Sequence, residues 1–240
     1  DSAVAYPFTY DADARAELAP YLQLAPAGER LAAFMAGIKA DLALPNRRTL
    51  DVLIDVNRRV QQTLRYDIRM EPGVFAPEET LERGHGSCRD FAWLLVQVLR
   101  RLGIAARFVS GYSIQLVADV KALDGPSGVS QDVTDLHAWA EAYLPGAGWI
   151  GFDATSGLAC AEGHIPLACT ADPGNAAPIT GGYSFEELFP GDKVKDSFTF
   201  DMKVARVREE PRVTKPYTEE AWAAIQRVGR QVDEVLVAND

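Results

Sequence analysis

The apolar pattern of the chain changes period at Gly103. Before it, apolar residues recur every three to four positions; after it, they alternate. A helix-period pattern cannot bury itself as a strand, nor an alternating one as a helix. The chain must therefore build helices first and strands afterwards. Residues 28–43 carry Leu31, Phe34, Ile38 and Leu42 on one helical face. A second helix is predicted from Thr49, read as its cap, with Leu53, Val56, Val60 and Leu64 inward. The stretch APEETLERG reads as a short helix closed by Gly84. The segment GHGSCRDFAWLLVQVLRRLG, residues 84–103, is a tight turn followed by a helix. Its predicted buried face is Phe91, Leu94, Leu95, Val98 and Leu102, and Arg100 and Arg101 lie in the last turn, where cations are favoured.

Beyond Gly103, IAARFVSGYSIQLV is β-branched and aromatic and reads as a strand. ADVKALDGPSGVSQDVTD is a polar insertion carrying Gly and Pro. HAWAEAYLP alternates Trp139, Glu141 and Tyr143 with Ala138, Ala140 and Ala142. GWIGFDAT follows after a short turn, which predicts a hairpin. Residues 155–185 read as loop-rich. Phe198, Phe200, Met202 and Val204 predict a strand with one solvated face, and Trp222, Ile225, Val228, Val232 and Val235 predict a last helix from Thr218. The expected fold is α+β, with N-terminal helices packed on an antiparallel β-sheet.

The 240 residues are 48% hydrophobic and 24% charged, enough for a sizeable core. A net charge of −10 argues against nucleic acid and anionic membrane as partners, since both call for clustered Lys and Arg. The apolar runs are too short to span a bilayer. Cys88, Cys160 and Cys169 are too few, and odd in number, for a disulfide framework, which points to a reducing compartment, the cytoplasm. The first residue is Asp rather than Met, so either the start has been trimmed or the chain is a piece of a longer protein.

Cys88 is placed at the first turn of its helix. Free backbone N–H groups and the helix dipole there favour a thiolate. Such a thiol becomes a nucleophile only with a base beside it. His137 opens one predicted strand and Asp153 ends the next, so an antiparallel hairpin brings them together. An Asp oxygen on the imidazole Nδ1–H would then turn the other nitrogen toward sulfur. Taken singly, each residue has a plainer reading: a packed thiol, a hydrogen-bonded surface histidine, a turn-forming aspartate. Together they spell a Cys-His-Asp triad in chain order. His85 is either a second titrating group near the thiol or a turn residue at the rim of the cleft. Arg89 and Asp90 either assist the helix start or are surface residues, and Trp139 and Trp149 are core or cleft walls. Cys160, His164 and Cys169 form C-x3-H-x4-C in a predicted loop; a structural zinc site normally needs four ligands, so no metal is assigned.

GSCRDFAWLLVQVLRRLGIAARFVSGY followed by DLHAWAEAYLPGAGWIGFDATSG resembles the core of the transglutaminase-like cysteine hydrolase superfamily, in its bacterial peptidase branch. The shared pattern is a Gly-x-Cys helix start, a Leu-Gly-Ile turn, a Ser-Gly-Tyr strand end, a His-Ala-Trp strand and a Trp-x-x-x-Asp strand. The resemblance implies a papain/transglutaminase-like core over about residues 45–210 of a single domain 1–240, with 216–240 a C-terminal helix leading toward a further domain. It implies Cys88 as nucleophile, His137 as general base and acid, and Asp153 as orienting carboxylate, acting through a thioester on a peptide or protein amide without a cofactor. The expected oxyanion donors are the Cys88 N–H and a second group, for which Tyr66 and Gln62 are candidates. The alternative is a catalytically silent domain of the same fold that binds a peptide or a partner, including other domains of a longer chain.

Overall fold

The computed structural model describes residues 3–42, 47–117, 129–179, 181, 199, 201–205 and 218–237. The chain divides into two compact units, Asp1–Leu116 with Gln131–Val204 and Val117–Ser130 with Ala205–Asp240. The first unit runs β1 (Ala5–Tyr6), α1 (Ala12–Glu17), α2 (Glu29–Asp41), β2 (Arg47–Arg48), α3 (Thr49–Thr63), β3 (Arg65–Tyr66), α4 (Pro77–Arg83), β4 (His85–Gly86), α5 (Cys88–Arg101) and β5 (Ala106–Gln115). It continues through β6 (Val133–Leu144), β7 (Gly148–Asp153), β8 (Leu158–Ala159) and β9 (His164–Thr170). The second unit contributes α6 (Glu219–Val237), whose start is capped by the Thr218 hydroxyl accepting from Ala221 N at 3.2 Å.

The five-stranded sheet has the order β8-β7-β6-β5-β9, every pair antiparallel. The core lies between this sheet and the helices. α5 contributes Phe91, Leu94, Leu95, Val98 and Leu99, all nearly or fully buried, and α3 adds Val52, Leu53, Val56 and Val60. Ala138, Ala140 and Ala142 of β6 join the same cluster, and their small side chains let the helix layer come close. Each fully buried Leu or Phe here contributes about 1.5–3 kcal/mol of transfer free energy.

Polar groups stitch the layers. The Glu78 carboxylate of α4 accepts from the N–H groups of Gly28, Arg30 and Leu31, capping α2 across 50 residues of sequence. Arg100 is buried and donates to the carbonyls of Gln23, Ala106 and Ala171. Gly84 closes α4 in the left-handed region (φ 66°), as its position predicts.

Several expectations need correction. Thr49 is the first helical residue of α3 and not its cap; Arg48 holds the cap position, and the buried Thr49 hydroxyl has no partner among the described residues. β6 begins at Val133, so His137 lies inside a strand, because residues 133–136 already pair with β5. The region expected to be loop-rich contains β8 and β9. Of the strand predicted around 198–204, residues 201–204 are in no strand, and Phe198 and Phe200 lie outside the described residues. Most of the polar insertion also lies outside them. No helix among the described residues is long and apolar enough to cross a membrane.

Candidate active site

The turn 84–87 and the start of α5 are held from below by Asp90. This carboxylate is fully buried. Its Oδ2 accepts from Ser87 N and Ser87 Oγ, both at 2.8 Å, and its Oδ1 accepts from Phe75 N and Arg69 Nη2, both at 2.8 Å. Burial works to raise the Asp90 pKa, but the bonds from Phe75, Ser87 and Arg69 outweigh it and lower the value. Arg89 donates to the carbonyls of Arg69 and Glu71. The two residues therefore fasten the loop 69–75 to the first turn of α5, and Asp90 is not a surface group. Cys88, half-buried, opens that turn.

The β6–β7 hairpin, with Ala140 opposite Phe152, brings His137 and Asp153 onto one another. His137 Nε2 lies 3.3 Å from Asp153 Oδ2. The sequence expectation had the carboxylate on Nδ1; the ring is turned the other way, leaving Nδ1 as the nitrogen for the sulfur. Burial disfavours charge on His137, but its hydrogen bonds to Asp153 and Cys88 more than reverse this and raise its pKa to about 10. Asp153 is moved well below the usual carboxylate range. Burial opposes this, and contacts with His137, His164 and Thr155 overcome it. The carboxylate also shapes its own turn: Oδ1 accepts from Thr155 N at 2.9 Å and Thr155 Oγ1 at 2.7 Å, and Oδ2 from Ser156 Oγ at 2.9 Å. Asn57 of α3 anchors the turn from behind, donating to the Asp153 and Leu158 carbonyls at 3.2 and 3.0 Å.

The structure thus brings Cys88, His137 and Asp153 together, on one helix and two strands. It adds His164, whose Nε2 is 3.7 Å from Asp153 Oδ2. His164 was visible in sequence only as part of the C-x3-H-x4-C spacing. That spacing does not close into a metal-like cluster: among the described residues, the group of donors within 4.8 Å of one another is His137, Asp153 and His164. His164 Nδ1 accepts from Ala161 N at 3.3 Å, which puts the ring proton on Nε2 and closes that nitrogen to a metal. Cys160 and Cys169 are free thiols whose pKa values burial raises.

Trp139 is buried, near-parallel to His137 and edge-on to His164. Trp149 packs on Tyr21, Tyr143 and the Arg107 guanidinium, which pairs with Glu141. His85 pairs with Asp67 at 3.3 Å, in β4, which runs parallel to β3. Tyr66, at the end of β3, is half-exposed. Burial first, then the nearby charges of Cys88, Asp135 and Asp153, push its phenol up to about 12. Gln62 lines a separate surface hollow with Ile38, Asp41, Arg47 and Asp55.

Comparisons with known proteins fit this geometry. The sequence profile of the "Transglutaminase-like superfamily" matches residues 38–154, and that of "Putative amidoligase enzyme" matches residues 192–240. An uncharacterized protein of Mycobacterium leprae is 34% identical over 108 residues, covering 44% of this chain and 35% of its own length. An uncharacterized protein of Mycobacterium tuberculosis H37Rv is 29% identical over 144 residues, covering 58% of this chain and 43% of its own length. The chain therefore spans less than half the length of these relatives. A solved structure described as "a Putative Cysteine Protease from Cytophaga hutchinsonii" superposes with a TM-score of 0.51 at 26% identity, over 70% of this chain and 50% of the other. Over residues 38–154, which hold Cys88, His137 and Asp153, the chain matches the transglutaminase-like superfamily.

Proposed function

We propose that the chain is a cysteine-dependent hydrolase or acyltransferase acting on peptide or protein amides. The observation that carries this is His137, bonded to Cys88 on one side and Asp153 on the other, with its pKa raised by both. The Cys88 sulfur attacks the amide carbonyl carbon, and the C=O electron pair moves onto oxygen. The N–H of Cys88 at the helix start donates to that oxyanion. Tyr66 is the second donor in this reading: its phenol stays protonated across the working pH range and feels the charge of Cys88. His137 then gives its proton to the leaving amine as the C–N bond breaks, and a thioester remains on Cys88. His137 next takes a proton from the group that adds to the thioester carbonyl, either water, giving a hydrolase, or an amine, giving acyl transfer, and the C–S bond breaks to return the Cys88 thiolate. The similarity to a structure described as a cysteine protease supports the hydrolytic branch.

The compartment proposed is the cytoplasm, on the strength of three free thiols. Residues 192–240 are proposed to belong with an amidoligase-like module that follows the transglutaminase-like unit. The test is iodoacetamide labelling of the intact chain near neutral pH, read per cysteine by peptide mass mapping. Cys88 is expected to react at least tenfold faster than Cys160 and Cys169, whose thiols burial keeps protonated. Equal labelling of the three would overturn the reading. Screening peptide amides with Cys88→Ala as the blank then identifies the substrate.

A further inference from the structure

The carboxylate of Asp153 has room for about four hydrogen-bond donors. Four are in place: Thr155 N, Thr155 Oγ1, Ser156 Oγ and His137 Nε2. A fifth stands beside them. His164 Nε2 is buried, has no hydrogen-bond partner among the described residues, and lies 3.7 Å from the same Oδ2 that His137 uses at 3.3 Å. The Ala161 N–H on Nδ1 makes the Nε2 nitrogen the one that carries the proton. A buried donor with no acceptor costs about 1–3 kcal/mol, so its placement calls for an explanation. Packing alone does not supply one. The ring meets Trp139 edge-on at 5.2 Å, a contact any aromatic side chain would make.

We propose that His164 is a positioning residue of the site, whose Nε2–H stands over Asp153 Oδ2 and holds the carboxylate toward His137. Resting on the function proposed above, it acts through Asp153 and touches neither substrate nor sulfur. At 3.7 Å it acts as a fixed N–H dipole and becomes a full bond when the long His137 contact loosens. Two imidazoles thus share one oxygen, and the carboxylate keeps an imidazole donor on Oδ2 throughout the exchange of protons at His137. The framework that sets this distance is β9. His164 pairs with Ser113 of β5, beside Gly111, where Ile165 O approaches so closely that no Cβ would fit. The other titratable groups facing this cluster are His137 on β6, Cys88 on α5, Tyr66 at the end of β3 and Cys160 between β8 and β9, with Asp135 of β6 acting on Tyr66 and Glu141 of β6 on Cys160.

The test uses the pH dependence of iodoacetamide alkylation at Cys88, which needs no substrate. His164→Phe keeps the ring edge against Trp139 and deletes the donor. His164→Gln keeps a donor near the Nε2 position. Removing a donor from the environment of Asp153 and His137 makes that environment more negative, so the acid limb of the Cys88 alkylation profile should move up by about half a pH unit or more in His164→Phe. His164→Gln should return most of the way to the wild-type profile, with both variants matching wild type by circular dichroism. Where the Phe variant fails to fold, His164→Asn, whose amide is too short to reach Asp153, takes its place against Gln. An unmoved limb in Phe or Asn overturns the proposal, as does a Gln profile displaced as far as the Phe one, which would show that ring shape and not the donor matters. Wild-type Cys88 reacting no faster than Cys160 and Cys169 would instead remove the functional reading, and this inference with it.

Discussion

Replacing Asp90 by asparagine keeps the outline of the side chain and removes its charge. In the native protein four short contacts converge on this fully buried carboxylate: Ser87 N, Ser87 Oγ, Phe75 N and Arg69 Nη2, each at 2.8 Å. The single oxygen of asparagine can keep one pair, Phe75 and Arg69. Its NH2 then faces the Ser87 N–H, donor against donor, in a place without access to water. Arg69, only 14% exposed, keeps its charge and loses its counter-ion. Removing one member of a buried pair costs about 3–5 kcal/mol, and the stranded Ser87 N–H lies within that figure rather than on top of it. A loss of about 4 kcal/mol is a large part of the roughly 5–15 kcal/mol that holds a domain together. With a urea m-value near 2 kcal/mol/M, the unfolding midpoint should fall by about 2 M. The effect has a pH signature. The folded-state pKa of Asp90 is lowered, so its contribution is present above the unfolded value near 4 and disappears as the pH drops through the folded value. The gap between wild type and Asp90→Asn should therefore be full at pH 7 and narrow below pH ~4. A gap under about 1 kcal/mol at pH 7, or one that stays constant down to pH 3, would refute the claim that Asp90 anchors the turn bearing Cys88.

Three further outcomes are expected. Gly111→Ala places a Cβ 2.0 Å from the Ile165 carbonyl oxygen, so β9 must shift; amide exchange in residues 164–170 should accelerate well beyond that of β6, and unchanged protection would refute the contact. Asn57→Ala leaves the carbonyls of Asp153 and Leu158 without this partner, and urea titration should show a loss of about 1–3 kcal/mol. His137 has a folded-state pKa raised to about 10, so its stabilisation is full below the unfolded value of 6.5 and is lost as the pH rises toward 10. Wild-type melting temperature should accordingly fall between pH 6.5 and 9 more steeply than that of His137→Gln; parallel slopes would contradict the ion-pairing described for this ring.

Much of the fold was legible because it rests on period. α2, α3, α5 and the β6–β7 hairpin each bury residues at their own repeat, and such patterns survive whatever the rest of the chain does. Glycine was legible in the same way: Gly84 and Gly103 take left-handed conformations at the helix ends where they were expected. The convergence of Cys88, His137 and Asp153 followed from topology, since the hairpin sets the end of β7 beside the stretch of β6 that carries His137, and α5 leads directly into the sheet. What resisted reading has a different physical origin. β9 has Pro166 in its middle and no alternation, so nothing local marks it as a strand; it is recruited by β5, more than 50 residues earlier, as an edge strand that tolerates proline. His164 then inherits its place from that pairing, and its protonated nitrogen from a turn contact with Ala161. Asp90 assists the helix start, one of the two readings the sequence allowed, but its burial was hidden for a related reason. A carboxylate at the third position of a helix is ordinarily a solvated cap, and only the return of loop 69–75 over it makes it a buried anion. In each case the residue type was unremarkable at its position, and its role was set by a segment distant in sequence. Sequence reading of such a site should therefore find the groups whose chemistry needs a helix end or a hairpin, and miss those that hold them in place. The substitutions at His164, Asp90 and Asn57 probe that second set, and they should separate from one another: His164 in the ionisation of the site, Asp90 and Asn57 in the stability of the fold around it.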